Sequence, residues 1–160
     1  MVVVVMKVLA FDPGKTTGWA LVADTGEILD WGEVAISLDV EFLIQESKPD
    51  LVVYEDFVLY QFKAQAQAWK HFDPVEVIGV IKHICLCHEI ECQKQMAWQA
   101  KRVEIDPKPK GSKHAYDAMR HALVALARMG HEGARNKLRV QPLKQETDGT
   151  GKGSSGKKRG

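Results

Sequence analysis

Three acidic residues and one histidine, far apart in the chain, have side chains suited to phosphodiester chemistry. Asp12 and Glu55 each follow an apolar run, and His114 and Asp117 are three residues apart. Carboxylate oxygens are the ligands that Mg²⁺ and Mn²⁺ prefer, and imidazole also suits Mn²⁺. Two such ions about 4 Å apart can activate a water molecule and stabilise the leaving oxygen when a phosphodiester is cleaved. These four residues are therefore the candidate catalytic and metal-binding set.

Two predicted strands position the first two acids. Val2–Phe11 is a β-branched apolar run, typical of a buried strand, and it leads directly into Asp12. Leu51–Tyr54 is a shorter apolar run that ends at Glu55. If these strands are neighbours and parallel, the two carboxylates meet at one edge of the sheet.

One predicted helix carries the other two candidates. It begins near Ser112 and ends at Gly130, a glycine typical of a helix C-terminus. His114 and Asp117 are at positions i and i+3, so they project from one face of the helix. Asp117 falls among small apolar residues, and a carboxylate that faces a core needs a partner. His121, four residues later, is interpreted either as an outer partner of the site or as a surface residue.

Each candidate also has an ordinary structural interpretation. Asp12 precedes Pro13-Gly14, a common turn sequence. Glu55 fits a solvated strand end, and an isolated histidine such as His114 is more often structural than a ligand. The combination of the four, in this order and on these elements, is what favours a metal site.

The order of predicted elements gives the fold class. Three strands joined by short loops make an antiparallel meander. A helix that begins at Ser37 and the strand Leu51–Tyr54 then form a crossover, which places two strands in parallel. Further helices are predicted near residues 64–69 and from Asp73, with a fifth strand at Ile90–Gln95 and a polar loop at Lys101–Gly111. We therefore predict an α/β chain with a mixed five-stranded sheet flanked by helices, as in a ribonuclease H-like fold.

Composition limits the class of protein. The chain has 160 residues, of which 45% are hydrophobic and 27% charged, as expected of one globular domain. We predict a folded domain in residues 1–130 and a basic, largely disordered tail in residues 131–160. No apolar run is long enough to span a bilayer, no signal peptide is evident, and three cysteines do not make a disulfide framework. A soluble cytoplasmic protein without membrane partners is expected.

Charge is divided unevenly along the chain. Residues 1–91 contain 6 Lys and Arg against 15 Asp and Glu, whereas residues 92–160 contain 16 against 6. Such asymmetry is typical of a polyanion-binding half beside an acidic half, although a basic tail that only aids solubility fits it as well. An acidic site that engages nucleic acid generally needs cations, because bare carboxylates repel phosphate.

Three segments resemble the motifs of RuvC-type Holliday junction resolvases, over roughly residues 6–129. Val8–Gly14, followed by Gly18-Trp19-Ala20, is similar to their first motif. Val52–Glu55 resembles the second motif, in which an acid ends the fourth strand, and His114–Ala118 resembles the last. The order of the motifs is more specific than any one of them. The sequence looks like a compact form of the family, of the phage or bacterial type.

The resemblance implies a metal-dependent, structure-selective endonuclease. Such an enzyme acts as a homodimer on four-way DNA junctions, with Mg²⁺ or Mn²⁺, two ions per site. The family's metal ligands correspond to Asp12, Glu55, His114 and Asp117. The expected location is the cytoplasm of a bacterium or of a phage-infected cell.

The resemblance also implies DNA-binding residues. The family has basic residues ahead of the last helix, where this chain has Lys101, Arg102, Lys108, Lys110 and Lys113. It inserts an aromatic side chain at the branch point, for which Phe57, Tyr60 and Phe62 are candidates, although core packing explains each equally well.

Other functions share some of these sequence features. Gly14-Lys15-Thr16 resembles the end of a phosphate-binding P-loop, but the glycine that the motif requires is replaced by Leu9. The Asp-x-Gly-x-Thr pattern at Asp12 also begins the actin-like ATP-binding fold, but that fold needs a second, similar domain, which 160 residues cannot hold. A related nuclease that cuts flaps or RNA–DNA hybrids stays open, because the metal chemistry is shared. A non-catalytic DNA-binding module fits the basic half but leaves the acids unexplained.

Overall fold

The computed structural model describes residues 4–35, 37–59 and 73–142. Its strands are β1 (Lys7–Asp12), β2 (Thr17–Ala23), β3 (Ile28–Val34), β4 (Leu51–Glu55), β5 (Glu91–Gln95), β6 (Val103–Ile105) and β7 (Leu138–Val140). The helices in these residues are α1 (Ser37–Ser47), α2 (Asp73–Cys87), α3 (Ala97–Lys101), α4 (Lys113–Arg128) and α5 (Glu132–Lys137). None of these described helices has both the length and the apolar character needed to cross a bilayer.

The main sheet has the order β3-β2-β1-β4-β5, which confirms the predicted mixed five-stranded sheet flanked by helices. β1 pairs antiparallel with β2 and parallel with β4, and β4 pairs parallel with β5. β1 begins at Lys7, not at Val2 as predicted, and Lys7 already pairs with Ala23, the last residue of β2. Val4 is outside the sheet and 83% exposed.

The central strand β1 is covered on both faces. Val8 and Ala10 point to one face, where they pack in a cluster with residues of α4. Leu9 and Phe11 point to the other, where they pack with residues of α1 and α2. All four side chains are completely buried, as expected of a strand that is apolar at successive positions. Because both faces are covered, the strand ends are where its polar side chains can reach solvent.

The sheet-facing side of α4 is built from small residues, which let the helix lie close to the sheet. Ala115, Ala118 and Ala122 are completely buried in this face. The helix begins near Ser112, as predicted, and the hydroxyl of Ser112 caps it by accepting a hydrogen bond from the amide of Ala115 at 3.2 Å. The start of α4 is thereby held against the sheet.

The ordered fold continues beyond the predicted boundary at residue 130. Residues predicted to lie in a disordered tail form α5 and β7, and β7 pairs with β6 inside the predicted polar loop. Two buried apolar residues, Ile105 and Ala134, anchor these short elements to the core on the α4 side. Charged neighbours obscured both positions in the sequence. Residues 143–160 and the helix predicted near 64–69 lie outside the described residues.

Candidate active site

Asp12 and Glu55 end neighbouring parallel strands. Phe11 of β1 pairs with Tyr54 of β4, so the next residue of each strand is at the same edge of the sheet. Both acids are only partly exposed, with side-chain exposures of 13% for Asp12 and 24% for Glu55. The predicted juxtaposition of the two strand ends is therefore present.

His114 contacts Asp12 because β2 leaves room for α4. The imidazole Nδ1 lies 2.9 Å from Oδ2 of Asp12. Asp12 pairs across the sheet with Gly18, and a Cβ atom on Gly18 would lie only 2.1 Å from the carbonyl carbon of His114. Glycine at this position thus permits the close approach of helix and strand that places His114 on Asp12.

The electrostatics of Asp12 show that the acids act on one another. Burial raises the pKa of Asp12 above its usual range, and the neighbouring carboxylates of Glu55 and Asp117 raise it further by like-charge repulsion. The hydrogen bond with His114 works against this rise in pKa. The charges of Glu55 on β4 and Asp117 on α4 therefore both act on Asp12 at the end of β1.

Glu55 is held by a fully buried histidine. Nε2 of His121 lies 2.9 Å from Oε2 of Glu55, and Nδ1 lies 2.8 Å from Oε1 of Gln95. The amide nitrogen of Gln95 in turn donates to the backbone carbonyl of His121 at 3.2 Å. Of the two interpretations of His121, the outer partner of the site fits this geometry, and the surface residue does not.

Gln95 was not predicted from the sequence. It is one of the polar residues of the otherwise exposed strand β5, and only the pairing of Gln95 with Glu55 in the sheet reveals its place.

Asp117 pairs with Arg120, one turn later on α4. Arg120 also donates to the carbonyl of Val103 at 3.2 Å, and its guanidinium lies 5.0 Å from the ring centroid of Tyr116. Among the described residues, its Nε atom is buried without a hydrogen-bond partner. The sequence predicts a partner for Asp117 but not that it is Arg120, which the i, i+3 spacing could have revealed.

Each acid is thus engaged by a basic side chain of α4. In the described part of the chain, no three His, Cys, Asp or Glu side chains are grouped so as to hold a metal ion. The donor chemistry fits a hard divalent cation, because the like charges of Glu55 and Asp117 act on Asp12 and bound positive charge would offset them.

The predicted DNA-binding residues lie in different relations to the acids. Lys101 and Phe57 line a cavity of about 320 Å³ together with Glu55. Arg102 stacks on Trp98, and the ammonium group of Lys108 lies 5.4 Å from the ring centroid of Tyr116. Lys110 and Lys113 are exposed just before and at the start of α4, and Tyr60 and Phe62 lie outside the described residues.

The comparisons with known proteins give a structural relationship. No protein-family model matches the sequence, and no curated protein matches it. A Thermus thermophilus RuvC structure is similar with a TM-score of 0.59 and 16% sequence identity, over 79% of this chain and 98% of that one. T. thermophilus RuvC in complex with a Holliday junction substrate is similar with the same TM-score and identity, over 79% of this chain and 97% of that one. The chain therefore has a RuvC-like fold of the ribonuclease H type.

Proposed function

We propose that the protein is a divalent-metal-dependent endonuclease that resolves four-way DNA junctions or related branched DNA. The observation that carries the proposal is the placement of Asp12 and Glu55 at one edge of the sheet, with Asp117 near enough for its charge to raise the pKa of Asp12. These acids come from three separate elements of a fold shared with RuvC, which has been seen bound to a Holliday junction. Asp12 has a side-chain exposure of only 13% and lies near two further carboxylates, so a bound cation would offset a repulsion that the folded chain otherwise retains.

Asp12, Glu55 and Asp117 would hold the metal, with His114 as a further ligand or as a proton-transfer group. When bound, two Mg²⁺ or Mn²⁺ ions supply the charge neutralisation and water activation that phosphodiester hydrolysis requires, leaving a 5′-phosphate and a 3′-hydroxyl. When no metal is bound, the basic partners of the three acids would offset their negative charge.

The protein side chains orient this site. His121 and Gln95 hold the carboxylate of Glu55 in one direction. His114 is 46% exposed, so its imidazole is accessible to substrate while Nδ1 stays on Asp12. As a proton-transfer group, His114 would move a proton at the reacting phosphate.

Basic side chains near the cavity that contains Glu55 would bind the DNA backbone. Lys101 borders the cavity that contains Glu55, and the other exposed candidates lie between β5 and the first turn of α4, namely Arg102, Lys108, Lys110 and Lys113. Affinity should fall steeply with salt as condensed counterions are released. We propose Phe57, in the same cavity, as the aromatic residue at the branch point.

A homodimer completes the proposal. A four-way junction has approximate two-fold symmetry, and a two-fold dimer would present one site to each of two strands. Analytical sedimentation of the full chain, with and without junction DNA, measures its oligomeric state.

A cleavage assay tests the proposed function. The full chain is incubated with Mg²⁺ or Mn²⁺ and four labelled substrates: a junction, a flap, an RNA–DNA hybrid and a linear duplex. Symmetrical cuts in the junction support the proposal. Cleavage of the flap or the hybrid alone would assign a related nuclease, and binding of all four without cleavage would assign a non-catalytic module. The Asp12→Asn variant controls for a contaminating nuclease.

A further inference from the structure

A second groove lies beside the cavity that contains Glu55. It has a volume of about 500 Å³ and runs between α3, α4, α5 and the end of β7. Apolar side chains such as Val124 and Leu138 form its floor, and three arginines line it, Arg102, Arg128 and Arg135. No Asp or Glu is among the described residues that line the groove.

The positive charge of this groove is not neutralised locally. None of its three arginines forms an ion pair with a carboxylate in the described part of the chain, whereas Arg139, on the neighbouring strand, pairs with Asp106 at 3.4 Å. All three are exposed to solvent. An open surface with three unpaired guanidinium groups and no lining acid attracts phosphate.

Trp98 is common to the groove and the cavity. It lines both depressions, so the two adjoin at this residue, and Glu55 lines the cavity. Trp98 is 52% exposed, and the guanidinium of Arg102 lies 4.9 Å from its ring centroid. Lys101 also lines the cavity.

We propose that this groove binds an unpaired DNA strand, with a base stacked on Trp98 and backbone phosphates on Arg102, Arg128 and Arg135. A paired duplex offers phosphates but keeps its base faces stacked, whereas an unpaired strand offers both groups. The inference rests on the proposed nuclease function, since it names the part of a branched substrate that would lead to the acidic cluster. Branched DNA with an unpaired strand near the branch point is thus the preferred ligand.

Binding without cleavage tests the role of Trp98. Fluorescence anisotropy in EDTA compares the full chain on a fork with an unpaired arm of about 15 nucleotides and on a fully paired duplex of the same length. Trp98→Ala should weaken binding to the fork about five-fold or more and leave the duplex unaffected, because one stacked base is lost. Trp98→Phe, which keeps an aromatic face, should restore most of the affinity. The matched control is Phe42→Ala, which removes another exposed aromatic residue, on α1.

A charge reversal tests the arginines. Arg128→Glu should weaken binding to the fork and reduce its salt dependence, whereas Lys82→Glu makes the same charge change on α2, across the sheet, and should do neither. Fork binding that is unchanged in Trp98→Ala, or fork and duplex binding weakened equally, would overturn the inference. Cleavage is scored separately. If the chain cleaves DNA but Trp98→Ala does not alter binding, the nuclease function stands and the proposed role of the groove fails. If Trp98→Ala weakens fork binding but the chain cleaves nothing, the groove binds DNA and the nuclease function fails.

Discussion

The buried imidazole of His121 joins Glu55 to Gln95, with Nε2 2.9 Å from the carboxylate and Nδ1 2.8 Å from the amide oxygen. The amide nitrogen of Gln95 donates to the backbone of His121, so the amide oxygen must face Nδ1. Nδ1 therefore donates to Gln95, and the contact between Nε2 and Glu55 needs a proton on one of the two, because an unprotonated Nε2 and a carboxylate are both acceptors. The orientation of an acid at the sheet edge is thus set from within the core.

Replacing His121 should weaken metal binding. His121→Leu fills a similar volume but removes the hydrogen bond to Glu55, so we expect affinity for Mn²⁺ to fall about 10–100-fold. Isothermal titration calorimetry measures this, with circular dichroism to verify folding. His88→Ala, at an exposed histidine beyond α2, is the control and should bind Mn²⁺ normally. Unaltered Mn²⁺ affinity in His121→Leu would show that the histidine serves only the core.

Asp12→Asn should separate catalysis from DNA binding. The amide keeps the size of the side chain but removes a charged metal ligand, so cleavage should fall to the level seen without protein. Binding to junction DNA should be retained, because the basic residues are untouched. Gel-based cleavage and anisotropy measure the two properties on one preparation. If both were lost together, Asp12 would instead have a role in folding.

Gly18→Ala should be destabilising. The new Cβ would lie 2.1 Å from the backbone of His114, so either β2 or the start of α4 must move. We expect a loss of about 3 kcal/mol in the free energy of unfolding, measured by urea denaturation. Gly79→Ala is a control of opposite sign. A Cβ on Gly79 meets nothing within 4 Å, and alanine in the helix should stabilise the protein by about 0.5–1 kcal/mol. Equal effects of the two changes would contradict the close packing.

The thiols of Cys85 and Cys92 should titrate differently. A hydrogen bond from Cys85 lowers the pKa of the Cys92 thiol, with a smaller contribution from Lys82, and burial opposes the shift. Cys87 is replaced by serine throughout, because this exposed thiol would also react. In that background, Cys85→Ala removes the hydrogen-bond donor, so the pH at which half of Cys92 is alkylated should rise. Mass spectrometry after iodoacetamide treatment at a series of pH values measures the midpoint. An unmoved midpoint would show that the hydrogen bond does not stabilise the thiolate.

The sequence was most informative where local signals decide structure. An apolar run that stops at an acid predicted the end of β1 at Asp12 and of β4 at Glu55, and the start of α4 was predicted near Ser112. These signals depend on a few neighbouring residues, so one sequence suffices to interpret them.

The contacts that the sequence did not reveal are non-local. Strand pairing sets Gln95 beside Glu55, and nothing in its own neighbourhood distinguishes it from the other polar residues of β5. β6 and β7 have three residues each and pair across 33 to 37 positions of sequence, with charged residues at Glu104 and Arg139. Pairing at such range is determined by the fold as a whole.

Helix α4 carries His114, Asp117 and His121, and the first and last of these engage acids from two different strands. An α-helix turns by about 100° per residue. One extra residue inserted between Asp117 and His121 would leave His114 facing Asp12 but rotate His121 away from Glu55. The number of residues between His114 and His121 therefore fixes the angle between their side chains around the helix axis. This part of the helix should tolerate neither insertion nor deletion, whatever the composition of its outer face.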